Sequence, residues 1–160
     1  MERVEIDQIK LPRSARKIGP RAIALCKANL QRFGQPGLLL VSETLDLVHG
    51  EEMLLAAKEL GWPAINIVRI RNLTDADRRV LTLALAKLPL LSSWDEDALR
   101  VEFTEIVALN LDYEVEDMTG FSTTEIDLVI NPGTAEPKPD PLDRLPDPFP
   151  DGETVSRPGD

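Results

Sequence analysis

The chain has 160 residues, 42% hydrophobic and 29% charged, enough to bury a core without disulfides, and its single cysteine, Cys26, excludes an internal disulfide framework. No apolar stretch approaches the ~20 residues of a membrane helix, and Met1-Glu2-Arg3-Val4-Glu5 lacks the basic-then-apolar layout of a signal peptide, so the expected setting is the reducing cytoplasm with no membrane partner. The net charge of −10 is uneven: residues 1–100 carry 15 Lys/Arg against 13 Asp/Glu, residues 101–160 carry 3 against 15, which gives no overall support to DNA as a partner.

Val4 and Ile6 alternate with polar residues as in a short strand. The run Lys10, Arg13, Arg16, Lys17, Arg21, Lys27 and Arg32 contains no acid; a solvated loop and helix face explains it most simply, a weak nucleic-acid contact being the alternative. Gly19-Pro20 opens a helix whose stripe is Ile23, Cys26, Leu30 and Phe33, with Gly34 as its stop. Cys26 lies on that stripe with no basic partner, so it reads as a core thiol. Leu38–Val41 and Leu45–Val48 read as two strands joined by Ser42-Glu43-Thr44.

Gly50 then starts a helix with Met53, Ala56, Ala57 and Leu60 on one face and Gly61 at its end. Ile65, Ile67, Val68 and Ile70 make a further strand. Thr74 with Asp77 caps a helix bearing Leu81, Ala84, Leu85 and Leu88, which Pro89 ends. Ser93 with Glu96 repeats the pattern before Leu99, Phe103 and Ile106, and Ser122 with Glu125 forms a capping box before Ile126, Val129 and Ile130. Residues 132–160 hold 8 of the 13 prolines and too little apolar surface to offset ordering. The expected class is α/β (α+β), a small mixed sheet flanked by helices with a C-terminal helical annex. Its divisions are a core over 1–91, an annex over 92–131 packed on it, and a disordered acidic linker over 132–160 leading to a missing domain.

The chemically interesting junction is Val48-His49-Gly50-Glu51-Glu52-Met53. A helix N-terminus after glycine suits an anion, but Glu51 and Glu52 already complement the dipole there. Dipole-favourable acids on an ordinary helix are the simplest reading; the sharper one makes Glu51, Glu52 and His49 a catalytic set acting on water or holding a metal of unspecified identity. Zinc-type cysteine pairs, a glycine-rich phosphate loop and a Gly-x-Ser-x-Gly elbow are absent from the sequence.

Leu11-Pro12-Arg13-Ser14-Ala15-Arg16, Phe33-Gly34, Leu47-Val48-His49-Gly50, Leu55-Ala56-Ala57-Lys58-Glu59-Leu60-Gly61 and Leu73-Thr74-Asp75-Ala76 together resemble the ParB/sulfiredoxin-like N-terminal domain, the ParB-like nuclease domain. Ser93-Trp94-Asp95-Glu96-Asp97-Ala98-Leu99, Thr119-Gly120-Phe121 and Glu125-Ile126-Asp127 resemble the branch that precedes a DNA modification methyltransferase, and Ser156–Asp160 looks like the joint to it.

The resemblance implies a nuclease- or partition-type role on DNA and a nucleotide or phosphate pocket at Arg16, Gly50 and Lys87, served by Mg²⁺ and a nucleoside triphosphate. It also implies a C-terminal methyltransferase domain as partner; a homodimer is a further candidate partner. The chain departs from the pattern at Met53, where a phosphate-gripping arginine is expected, and at Ala84-Leu85-Ala86, where Ala-Asp-Asn is expected; the cysteine that sulfiredoxins carry at the glycine loop is missing. The expected function is therefore a binding or positioning module of a DNA-modifying protein with a degenerate pocket. An active metal-dependent nuclease and a protein-interaction or dimerisation domain are the alternatives, so whether the chain is an enzyme stays open.

Overall fold

Alternation of Val4 with charged neighbours produces the first strand of the computed structural model, which describes residues 1–133. This strand, β1 (Glu2–Glu5), runs antiparallel to β4 (Ala64–Arg69), pairing Val4 with Ile65. β4 also runs parallel to β2 (Leu39–Val41), which pairs antiparallel with β3 (Leu47–His49), so the sheet order is β1-β4-β2-β3. The mixed sheet and its flanking helices match the expected class.

Proline and glycine set the helix boundaries as anticipated. α1 (Pro20–Phe33) has Pro20 in its first turn and Gly34 at its end with φ 75°. α2 (Glu51–Glu59) starts at Gly50 and is followed by Gly61 at φ 71°. α3 (Asp75–Lys87) carries a complete Thr74–Asp77 capping box and stops before Pro89, the chain continuing as a tight turn over Leu88–Leu91. α1 and α2 pack on one another, and Leu30 and Leu54 meet Leu39, Val41, Ile65 and Ile67 in a fully buried core.

Two devices hold the sheet ends. After β1 the chain turns at Ile6, whose N–H donates to the Pro63 carbonyl at 3.1 Å, and reaches the far edge, where the Lys10 N–H donates to the Leu45 carbonyl and the Leu47 N–H to the Lys10 carbonyl, both at 2.9 Å. Residues 11–16 are thereby carried to the end of β3. The Gln35 side-chain amide pairs with β4 as a strand would, donating to the Asn66 carbonyl at 2.7 Å and accepting from the Asn66 N–H at 2.8 Å.

The β2–β3 turn is longer than Ser42-Glu43-Thr44. Leu45 adopts φ 64°, and the Ser42 N–H donates to the Asp46 carbonyl at 2.9 Å. Leu45 therefore leaves the strand and packs against the core from a left-handed turn position. Hydrogen bonds from Thr44, and then Ser42, hold the Asp46 carboxyl below the usual carboxylate range.

The C-terminal helices are α4 (Glu96–Ala108), α5 (Val115–Thr119) and α6 (Thr123–Ile130). α4 is capped by Asp95, which accepts from the N–H groups of Asp97 and Ala98, and not by Ser93. The α6 box is as expected: Ser122 accepts from the Glu125 N–H while Glu125 accepts from the Ser122 N–H at 2.7 Å, which with the Ser122 hydroxyl lowers the Glu125 pKa. α4 packs on α6 around Phe103, whose ring meets Phe121 edge-on at 5.1 Å.

α5 is too short to show a period and has no counterpart among the expected elements; it lies on α1. Asn29 donates to the Met118 carbonyl at 2.9 Å, and Arg32 forks onto Asp112 at 2.9 and 3.3 Å while covering the Tyr113 ring at 5.0 Å. Of the expected linker over 132–160, all but residues 132 and 133 lies outside the described residues.

Candidate functional site

The crossing segment and the β3–α2 junction enclose one small cavity. It is lined by Leu11–Arg16, by Leu47–Glu52, and by Thr82, Leu83 and Ala86 of α3, and has a volume of about 60 Å³. The fold thus brings together five of the six residues expected there: Arg16, His49, Gly50, Glu51 and Glu52. Lys87 is exposed on the last residue of α3 and is not in the lining; neighbouring helical residues point about 100° apart, and Ala86 takes the inward position.

Gly50 is required on two grounds. Its φ of 97° is left-handed, and a Cβ there would sit 3.2 Å from Leu39 Cδ1 and 3.4 Å from the Leu38 carbonyl oxygen. Beyond it Glu51 and Glu52 occupy the first turn of α2, where the helix dipole favours negative charge. Arg16 Nη1 contacts Glu52 Oε1 at 2.7 Å. Arg16, expected as a residue of the phosphate pocket, is thus held by a carboxylate of the same cavity.

His49 is exposed at the strand end. Glu51 and Glu52 are sequence neighbours on a helix and diverge, and among the described residues no three His, Cys, Asp or Glu side chains are grouped to hold a metal ion. Met53 is not in the lining either. It packs against the core, with its Cε 2.6 Å from where a Cβ on Gly37 would lie. Cys26 is half-buried, and desolvation, then the Glu52 charge, push its thiol pKa up, which suits an unreactive core cysteine.

The acid-free basic run is largely neutralised internally. Besides Arg16, Lys27 pairs with Glu59 at 3.0 Å, Arg32 with Asp112 at 2.9 Å, and Arg21 donates to the Gly120 carbonyl at 3.0 Å beside Glu116. Residues 95–130 carry eleven acidic side chains and one arginine, Arg100.

The ParB-methyltransferase HTH domain family matches residues 97–158, from the first turn of α4 into the proline-rich stretch. No curated protein matches the chain. Among solved structures, the C-terminally truncated chromosome-partitioning protein ParB from Caulobacter crescentus, complexed with CTP-gamma-S, is similar to this chain with a TM-score of 0.65 at 12% identity, covering 81% of this chain and 76% of that one. The likeness is one of fold. Among the described residues no helix is long and apolar enough to cross a membrane.

Proposed function

We propose that this ParB-like, methyltransferase-associated domain is a positioning module of a DNA-modifying protein whose nucleotide pocket no longer works. The observation that carries the reading is the Arg16–Glu52 pair at 2.7 Å inside a cavity of about 60 Å³. Ligand pockets span roughly 300–1,000 Å³, and an anion entering here meets two carboxylates and a cation already engaged. The Caulobacter protein was solved with CTP-gamma-S; in this chain the start of α2 carries Glu51 and Glu52, and Arg16 is already engaged, a set that does not favour a nucleotide anion, so no step is routed through one. Grip on DNA by α4–α6 is equally poorly served, because backbone binding rests on phosphate neutralisation by Lys and Arg and this segment is acidic. The module's contribution is thus to place its attached partner rather than to hold nucleic acid by charge.

Isothermal titration with CTP, ATP and GTP in Mg²⁺ tests this. Wild-type protein is expected to give no binding in the micromolar range, whereas Glu52→Gln, which releases Arg16, gains measurable heat with inorganic phosphate. Micromolar binding of any of the three nucleotides to the wild type overturns the proposal.

A second reading, self-association, is favoured by one observation. Val80, Leu83, Leu88, Leu90 and Leu91 on α3 and the turn after it are all exposed, an apolar run longer than the scattered residues of an ordinary surface. A contact on this face is apolar, so sedimentation velocity is expected to show a dimer that persists at high salt. A monomer at every concentration removes this reading, as does a dimer that salt dissociates.

A further inference from the structure

The starts of α4 and α6 border a groove of about 480 Å³ whose lining includes Trp94, Leu99, Phe121, Leu128, Val129 and Pro132. Trp94 meets Phe121 at 5.4 Å between ring centroids, yet it is 67% exposed, an uncommon state for a tryptophan in a folded domain. Leu128 of the same groove is exposed as well.

The charge of the groove is one-sided. Glu96 and Glu125 line it. The Glu96 carboxylate has no partner among the described residues, and Glu125 gives only its Oε2 to the Ser122 cap. Arg100, the cation in the lining, is already engaged: its Nε donates to the Val129 carbonyl at 3.1 Å and its Nη1 to Asp97 at 2.9 Å. N–H groups that the two helix starts would offer an anion are taken by the side chains of Asp95, Ser122 and Glu116. An anionic ligand therefore finds no donor here, and a cationic one finds two carboxylates.

We propose that this groove docks a basic amphipathic helix of a partner protein. A cleft walled by two helices takes a third through its i, i+3, i+4 and i+7 side chains. Leucine-type anchors of the partner cover Trp94, Leu99 and Leu128, and its Lys or Arg residues meet Glu96 and Glu125. The acidic field of residues 95–130 favours such a partner at long range. A second copy fits less well. Its helix with an exposed apolar stripe, α3, holds Arg78 and Arg79 on Asp75, which leaves Lys87 as the free cation. The proposal gives the positioning role a surface and does not depend on the cavity at Gly50, which nucleotide titration tests separately.

The test uses the full chain labelled with ¹⁵N. The probe is a synthetic peptide of about fourteen Leu and Lys residues, four helical turns, with all leucines on one face. The chain's two tryptophans give two indole N–H signals, and Trp94→Phe assigns them. Titration with the probe is expected to shift the Trp94 signal and leave that of Trp62 in place. A peptide with the same leucines scattered round the helix, and one with Glu for Lys, should each bind at least about tenfold more weakly. Glu96→Gln/Glu125→Gln, which preserves size and the α6 cap, is expected to weaken the probe about three- to tenfold at low salt. Leu128→Ser should weaken it about tenfold with the charge unchanged. A Trp94 signal unmoved by the probe overturns the proposal, as do equal affinities across the three peptides or between wild type and the variants. So does a Trp94 signal that moves with the concentration of the chain alone, because a second copy would then be the occupant.

Discussion

Replacing Phe103 by alanine is expected to destabilise the protein by about 3–5 kcal/mol, the usual cost of removing a buried aromatic ring. Phe103 is 2% exposed and is, among the described residues, the one aromatic in the buried core. It projects from α4 at the contact with α6, and its ring is packed edge-on against Phe121, which in turn meets Trp94. Truncation therefore removes both transfer free energy and the centre of an aromatic row, and a short helix pair has few other groups with which to close the void. Urea unfolding followed by near-ultraviolet circular dichroism measures it. Val107→Ala on the exposed side of the same helix is expected to change stability by under about 0.5 kcal/mol. Equal losses from the two substitutions would show that Phe103 does not anchor the α4–α6 contact.

Gly50→Ala is expected to cost about 2–3 kcal/mol. Left-handed backbone costs a residue with a Cβ roughly 1–2 kcal/mol, and here the added carbon must also displace the fully buried Leu39, 3.2 Å away. Gly61 separates the two contributions: its φ is 71°, but nothing lies within 4 Å of an added Cβ. Gly61→Ala should therefore show the backbone cost alone. Chemical denaturation of both variants checks this, and a Gly50→Ala loss no greater than that of Gly61→Ala would mean that the close approach to Leu39 carries no energy.

The two substitutions bear on the site differently. Gly50 lets the chain turn sharply from β3 into α2, so that Glu51 and Glu52 arrive opposite the loop bearing Arg16. Phe103 lies in the C-terminal helices, which reach the core chiefly through α5 on α1. Loss of the aromatic row is expected to leave the Arg16–Glu52 pair intact, whereas a shift at Gly50 moves the first turn of α2 directly.

Much was legible along the chain because it is local. Gly19-Pro20, Gly34, Gly61 and Pro89 mark helix ends through φ and the missing N–H, which no tertiary contact changes. The Thr74–Asp77 and Ser122–Glu125 boxes likewise close between residues three apart. Leu45 misled because an apolar residue in an alternating pattern reads as strand, while the turn held by Ser42 and Asp46 asks for left-handed backbone. Ser93 misled because Asp95 lies nearer the helix start and its carboxylate reaches two N–H groups at once. α5 escaped notice because five residues show no periodicity, and its place on α1 depends on Asn29, Arg32 and Tyr113, distant in sequence.

The site shows the same division. That a glycine, two acids and a histidine meet at a strand-to-helix junction is written in consecutive residues, and the dipole argument follows from them. That Arg16 spends its charge on Glu52, that Met53 faces Gly37 and the core, and that Ala86 rather than Lys87 looks inward are outcomes of packing. Local backbone preference and helix chemistry act over three or four residues, so composition and spacing determined the elements and their ends. Which side chains share a cavity depends on how the crossing segment, α2 and α3 are brought together around one core, and only the tertiary structure decided that.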